Sequence, residues 1–265
     1  MGVSLRLTGT NWLLNRSLVL AVVVTAIAVS HAEAGEASLL VDATGAIRFC
    51  NEKSNCRSVV PTGELKKAID DGYEHVSVVD IYKNGNQQIV ATSEGANECS
   101  KFFSFDPTTF KFSVLKFSDR DICNYQIARN HLISSYKLDS KQYEDVYELK
   151  DGTFQLALRD GCVGCDQITR SIYKDGKLSE TLLVTNQASY TQRQPVTTSV
   201  TTDKAWLYAD HQDSARTKMY LLKGDKVQLI EFDDSNGLWY FVKYLSKEHG
   251  AISKWIKCED LTICK

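Results

Sequence analysis

From Ala37 to Leu261 the chain keeps returning to one motif. Runs of about four to eight residues rich in Val, Ile, Phe, Tyr and Thr alternate with turn residues at about 8- to 12-residue intervals. The earliest run covers 37–49 and breaks near Gly45. His75 to Asp80 reads as a strand, Lys83-Asn84-Gly85-Asn86 as its turn, and Gln88 to Thr92 as the return. Phe102 to Phe105 and Phe110 to Val114 form a second hairpin around Asp106-Pro107. Further strands are expected over 129–138, 144–149 and 153–158, with a turn at Asp151-Gly152. A third hairpin turns at Asp175-Gly176 and closes into Leu182-Leu183-Val184. Helix is sparse. A short one is expected within Pro61 to Ile69, where Thr62 is placed to cap and Leu65, Ala68 and Ile69 share a face; Asp71-Gly72 ends it. A pattern this rich in short strands predicts an all-β protein. Its N-terminal part, 37–185, is expected to be a propeller-like or sandwich domain. Residues 186–202, rich in Gln, Thr, Ser and Val, read as a linker, with a strand as the alternative. Residues 203–265 form a separate small module.

The first 32 residues carry a different signal. Arg6 and Arg16 precede an apolar run from Leu18 to Val29, and Ser30-His31-Ala32 supplies small residues for cleavage. That order is the one of a signal peptide. The run is shorter than the about 20 residues of a membrane span, and an uncleaved anchor is the alternative. Removing 1–32 takes away two bases and no acids, leaving 29 bases against 33 acids and a formal charge of −4. A mildly acidic chain with dispersed lysines disfavours nucleic-acid binding. The expected location is the periplasm or the extracellular medium, with no stable membrane span after cleavage. All eight cysteines lie beyond the signal segment, and an even number in an exported chain predicts disulfides. Spacing favours the sequential set Cys50–Cys56, Cys99–Cys123, Cys162–Cys165 and Cys258–Cys264. The segment after Cys162-Val163-Gly164-Cys165 reads as a strand, so this pair is expected as a turn disulfide rather than a redox centre at a helix start.

The segment from Val79 to Gln88, with Asp80, Tyr82, Asn84, Gly85 and Gln88, resembles the calcium loops of integrin-type propeller repeats and of a group of exported lysozyme-inhibitor and immunity-like proteins. The resemblance extends over roughly residues 75–184. It includes the aromatic hairpin Phe102 to Phe112 and the late Tyr173-Lys174-Asp175-Gly176-Lys177-Leu178. Calcium takes about six to eight oxygen ligands, several of them charged. Here Tyr82 and Gln88 replace two of them and only Asp80 carries charge. The loop is therefore expected to be a plain turn in which Asp80 and Asn84 cap backbone N–H groups, and no metal or cofactor is assigned.

Residues 203–261 resemble a bacterial SH3 domain. The matching stretches are Ala205-Trp206-Leu207-Tyr208, then Leu221-Leu222-Lys223-Gly224-Asp225-Lys226-Val227, then Gly237-Leu238-Trp239-Tyr240-Phe241-Val242, and finally Trp255-Ile256-Lys257 with Asp260-Leu261. Lys254 stands where that family has glycine. The resemblance implies a small SH3-like barrel that binds cell-wall peptides or protein partners. Alternation along 239–244 sends one set of aromatics outward, either to a partner or onto the first domain. Tyr208, Tyr220, Trp239, Tyr240 and Trp255 are the candidate binding surface. His211, Asp213 and Arg216, in the long loop after Tyr208, are placed to line a groove.

Nothing in the residues points to catalysis. No Gly-x-Ser-x-Gly, His-Glu-x-x-His or phosphate loop occurs. The adjacent acids Glu144-Asp145 and Asp233-Asp234 point to opposite faces of a strand and share no cleft by default. The chain is therefore expected to act without turnover, as an inhibitor or immunity protein against a cell-envelope toxin or peptidoglycan hydrolase. Its contact loops would be 83–87, 106–109 and 151–152. The alternative is a wall-binding or envelope adaptor protein working through its SH3-like module.

Overall fold

The computed structural model describes residues 37–51, 55–117, 120–128 and 130–265; the proposed signal segment lies outside them. The chain is all-β, apart from one α-helix and three short 3-10 turns. β1 (Ser38–Val41), β2 (Ile47–Cys50) and β3 (Cys56–Val59) form a first antiparallel sheet, followed by α1 (Gly63–Asp70). β4 (His75–Val79), β5 (Gln88–Thr92), β6 (Cys99–Asp106) and β7 (Lys111–Leu115) make a second, with the short β8 (Ile122–Cys123) paired to β6. The third sheet is a meander of β9 (Gln126–Ala128), β10 (His131–Leu138), β11 (Lys141–Lys150), β12 (Thr153–Gly161), β13 (Gln167–Lys174) and β14 (Lys177–Thr185). The fourth runs β15-β18-β19-β20-β16-β17, built from β15 (Thr197–Ser199), β16 (Lys204–Tyr208), β17 (Arg216–Leu222), β18 (Lys226–Asp233), β19 (Trp239–Ser246) and β20 (Gly250–Lys257).

Turn chemistry explains the meander. Asp151-Gly152 and Asp175-Gly176 both take positive φ at their two central positions, the backbone of a two-residue hairpin. They join Lys150 to Thr153 and Lys174 to Lys177 in register. Asp139-Ser140 makes the same turn without a glycine. The Asn84-Gly85 turn is wider than a two-residue hairpin, because β4 and β5 pair only from Val79 and Gln88 outward.

Hydrophobic side chains lock successive sheets together. Leu39, Ile47, Phe49, Leu65, Ile89, Phe103 and Phe112 share one core between the first sheet, α1 and the second sheet. Ile81, Val90, Phe102, Leu132, Tyr147 and Phe154 share the next, between the second and third sheets. Neighbours on a strand face opposite ways, so β6 sends Phe103 into one core and Phe102 into the other. Leu183 of β14 joins the core of the fourth sheet, with Ala205, Leu207, Leu221, Leu229, Tyr240, Val242 and Ile256.

The small closed barrel expected for residues 203–261 is not formed by strand pairing among the described residues. β15 and β17 remain the two ends of the fourth sheet. The reason lies at Lys223-Gly224-Asp225, where Gly224 has φ +91° and the chain turns a corner instead of folding β18 back onto β17. Val200 bridges that corner: its carbonyl accepts from Gly224 N–H and its N–H donates to the Asp225 carbonyl. The segment read as a linker is docked. Within 186–202, Thr197–Ser199 pairs with β18, and Arg193 is buried.

All eight cysteines are paired, as Cys50–Cys56, Cys99–Cys123, Cys162–Cys165 and Cys258–Cys264. The first two link residues already opposite each other in their sheets. Such a set persists in oxidising surroundings. No described helix is long and apolar enough to cross a membrane.

Candidate functional site

The strongest polar constellation lies inside the third sheet. On one face, Asp145 is fully buried and accepts a two-pronged pair from Arg159, Nε and Nη2 each at 2.7 Å. On the other face, Glu144 and Asp160 stand opposite each other in register. Asp160 is fully buried and accepts from Arg170 Nε at 2.7 Å and Nη2 at 2.6 Å. Arg193, only 2% exposed, reaches over both acids: Nη1 lies 2.5 Å from Asp160 Oδ2 and 2.9 Å from Glu144 Oε1. Its remaining donors go to the carbonyls of Gln187 and Ala188. Two acids do share a face, then, but the Arg193 guanidinium bridges them and Arg170 also holds Asp160. Buried charges need this degree of pairing and hydrogen bonding.

Burial pushes the Glu144 carboxyl above its ordinary value, against the pull of Arg193. The folded protein thus holds that proton more tightly than the unfolded chain. Its contribution to stability is complete below the unfolded value and is lost as pH rises through the raised folded value. E144Q is therefore expected to gain stability relative to the parent as pH rises from about 4 to about 7. Urea midpoints across that range test it; an opposite trend would mean that the Arg193 pair outweighs desolvation.

The exposed loops are held by their own carboxylates. Asp80 accepts from the Asn84 and Gly85 N–H groups, and Asn84 Oδ1 accepts from Asn86 N–H. Gln88 turns inward, accepting from Ile81 N–H and donating to the Asn86 carbonyl. Tyr82 stacks on Phe154 with ring centroids 5.5 Å apart. These loop positions therefore serve as turn caps and core contacts. Asp106 likewise accepts from Thr108 N–H and Thr109 Oγ1. Of the expected contact loops, 83–86, 106–109 and 151–152 are exposed, while Gln87, the last residue of 83–87, is half-buried and accepts from Leu39 N–H at 2.6 Å.

The candidate aromatic surface divides. Tyr208, Trp239 and Tyr240 are buried and so are not open to a partner. Tyr208 and Trp239 pack edge to face at 4.8 Å. Tyr240 points into the core of the fourth sheet, and its hydroxyl accepts from Gln167 of the third sheet at 2.8 Å. Tyr220 is 46% exposed and Trp255 half-buried. Trp255 packs on Phe241 at 5.3 Å and on the His211 ring at 5.1 Å. Asp213 pairs with Lys257 at 2.6 Å along a groove of about 420 Å³ that also meets Trp239. Arg216 lies over Trp206, 4.9 Å from its centroid.

Sequence reasoning passed over Trp206 and Lys204. Alternation on β16 buries Ala205 and Leu207 and turns Lys204 and Trp206 outward. Register then sets Trp206 opposite Tyr220, rings 5.6 Å apart. The Lys204 ammonium sits over both rings, at 4.2 and 4.0 Å. The signal was present in the alternation Lys-Ala-Trp-Leu-Tyr, but the partner ring on β17 follows only from the register. A larger groove, of about 750 Å³, opens on the third sheet beside Phe117, Gln155, Leu156, Arg159 and Tyr173. Two of its cations are paired, Arg159 with Asp145 and Lys150 with Asp175. No family model, curated protein or solved structure matches the chain.

Proposed function

We propose that this is an exported, periplasmic or secreted, binding protein of the cell envelope that works by stoichiometric contact. Its partner on this reading is an envelope toxin or peptidoglycan hydrolase, which it inhibits or to which it confers immunity. The observation that carries the reading is the state of the exposed loops. Asp80 and Asp106 already hold the backbones of 83–86 and 106–109, so seating them against a partner orders little additional chain. Preorganised loops of this kind bind with a smaller entropic loss. The internal acids, in contrast, are engaged in holding strands together.

A second reading, a wall-binding or adaptor protein using an SH3-like module, is favoured by one observation: exposed Tyr220 and half-buried Trp206 and Trp255 lie on the fourth sheet. Affinity capture from envelope extract separates the two. Co-purification of a hydrolase or toxin in one-to-one amount, with loss of its activity, supports the first. Retention on purified peptidoglycan without a protein partner supports the second. Turnover of a wall substrate by the purified chain overturns both.

A further inference from the structure

We propose that the corner formed by Trp206, Tyr220, Lys204 and Arg216 is an anion-reading site. Together with the free edge of β17, it captures an extended, acidic segment of a protein partner. The inference rests on the reading of a protein that works by contact, and adds which surface does so and what chemistry it selects.

Three observations lead to it. β17 is the end strand of its sheet, paired with β16 and with no second neighbour among the described residues. An end strand presents backbone donors and acceptors to an incoming strand. The side chains of this edge are open: Met219 is 37% exposed, Tyr220 46% and Leu222 55%. Finally, the cations here contact rings rather than carboxylates. Lys204 lies over Trp206 and Tyr220, and Arg216 over Trp206. Among the described residues no ion pair involves Lys204, Arg216 or the exposed Lys218, whereas Lys150, Arg159, Arg170, Lys243 and Lys257 all have acid partners.

The arrangement also narrows the ligand. Ring faces covered by an ammonium or guanidinium are not free platforms for a sugar ring. The groups offered outward are the cations, which the rings hold in place by cation–π attraction. A charge held this way loses less side-chain freedom on pairing with a carboxylate. An extended segment lying along β17 projects every second side chain to the same face. Acidic residues at alternate positions therefore meet the cations, which share a face with Tyr220 and Leu222, while intervening apolar residues fall on the opposite face, beside the exposed Met219.

The test uses the full chain after the signal segment and, as probe, a capped peptide of about ten residues alternating glutamate and valine, with a lysine–valine peptide as control. The acidic peptide is expected to bind and the basic one not to. Binding should weaken as salt rises from about 20 mM to about 200 mM, and amide protection should appear at residues 216–222. The K204A/R216A double variant should bind at least about tenfold more weakly. Both positions are on the surface, and an unchanged urea midpoint confirms an intact fold. A W206F variant, which keeps a ring under the cations, should retain most of the affinity. No binding of the acidic peptide, equal binding of the basic one, protection elsewhere, or an unaltered double variant each overturns the inference. If that double variant still captures the envelope partner at parental strength, this site is wrong while the contact reading stands. If the parent captures no partner at all yet binds the acidic peptide, the reverse holds.

Discussion

Replacing Arg193 by alanine is expected to lower the stability of the chain by about 3–5 kcal/mol, the usual result of removing one member of a buried charge cluster. Arg193 is the group that faces Glu144 and Asp160 together. Without it Asp160 keeps Arg170, but Glu144 is left without its guanidinium partner. The loss reaches beyond charge, since Arg193 also donates to the Gln187 and Ala188 carbonyls and so holds its own loop against the sheet. Urea unfolding of R193A should show the lower midpoint, and proteolysis should open the chain within 186–196. The charge argument has its own control. R193L combined with E144L removes the cation and the acid that depends on it, and should recover part of the loss, because an apolar substitute for a complete buried pair is often tolerated. If R193A matches the parent, the cluster contributes nothing net to folding.

The second large effect is expected at β6. F102A should cost about 3–5 kcal/mol, the range for emptying a well-packed aromatic site. Phe102 is 1% exposed and packs edge to face on Phe117 at 5.2 Å and Tyr125 at 5.1 Å. Its cavity would open between the second and third sheets. F103A should cost a similar amount, but its cavity would open on the opposite face, toward α1 and the first sheet. Hydrogen exchange distinguishes them: F102A should loosen β10 and β11, and F103A α1 and β2. If both variants loosen the same strands, the two cores act as one.

Much of this architecture could be read from residue order. The hairpins at Asp151-Gly152 and Asp175-Gly176 are dictated by residue types that accept positive φ, and the helix Gly63–Asp70, expected within 61–69, by spacing. The polar cluster was hidden for a specific physical reason. Extending the Lys150–Thr153 register without interruption pairs Glu144 with Arg159 and leaves Asp145 opposite Leu158. The observed bulge between Val146 and Tyr147 shifts the pairing by one, bringing Asp145 to Arg159 and Glu144 to Asp160. A one-residue slip changes which face each side chain occupies, and bulges carry no reliable signature in residue order. Arg193 was hidden for another reason. It lies in a Gln- and Thr-rich stretch whose composition suits a connector, and only the buried acids beneath it give it a partner. At the aromatic surface the alternation was legible, but which of two sets faced outward depended on Leu183 and Gln167, which lie far away in the chain.

The docking of Arg193 has a consequence for how the chain can be divided. A cut between Thr185 and Asp203 looks, by composition, like a clean place to separate two independent halves. A cut before Arg193 would leave the earlier half with Glu144 lacking its guanidinium and Asp160 with Arg170 alone, and the later half would lose Leu183 from beneath its sheet. Each piece would carry the unfinished seat of the other, so the halves should be made and matured as one polypeptide.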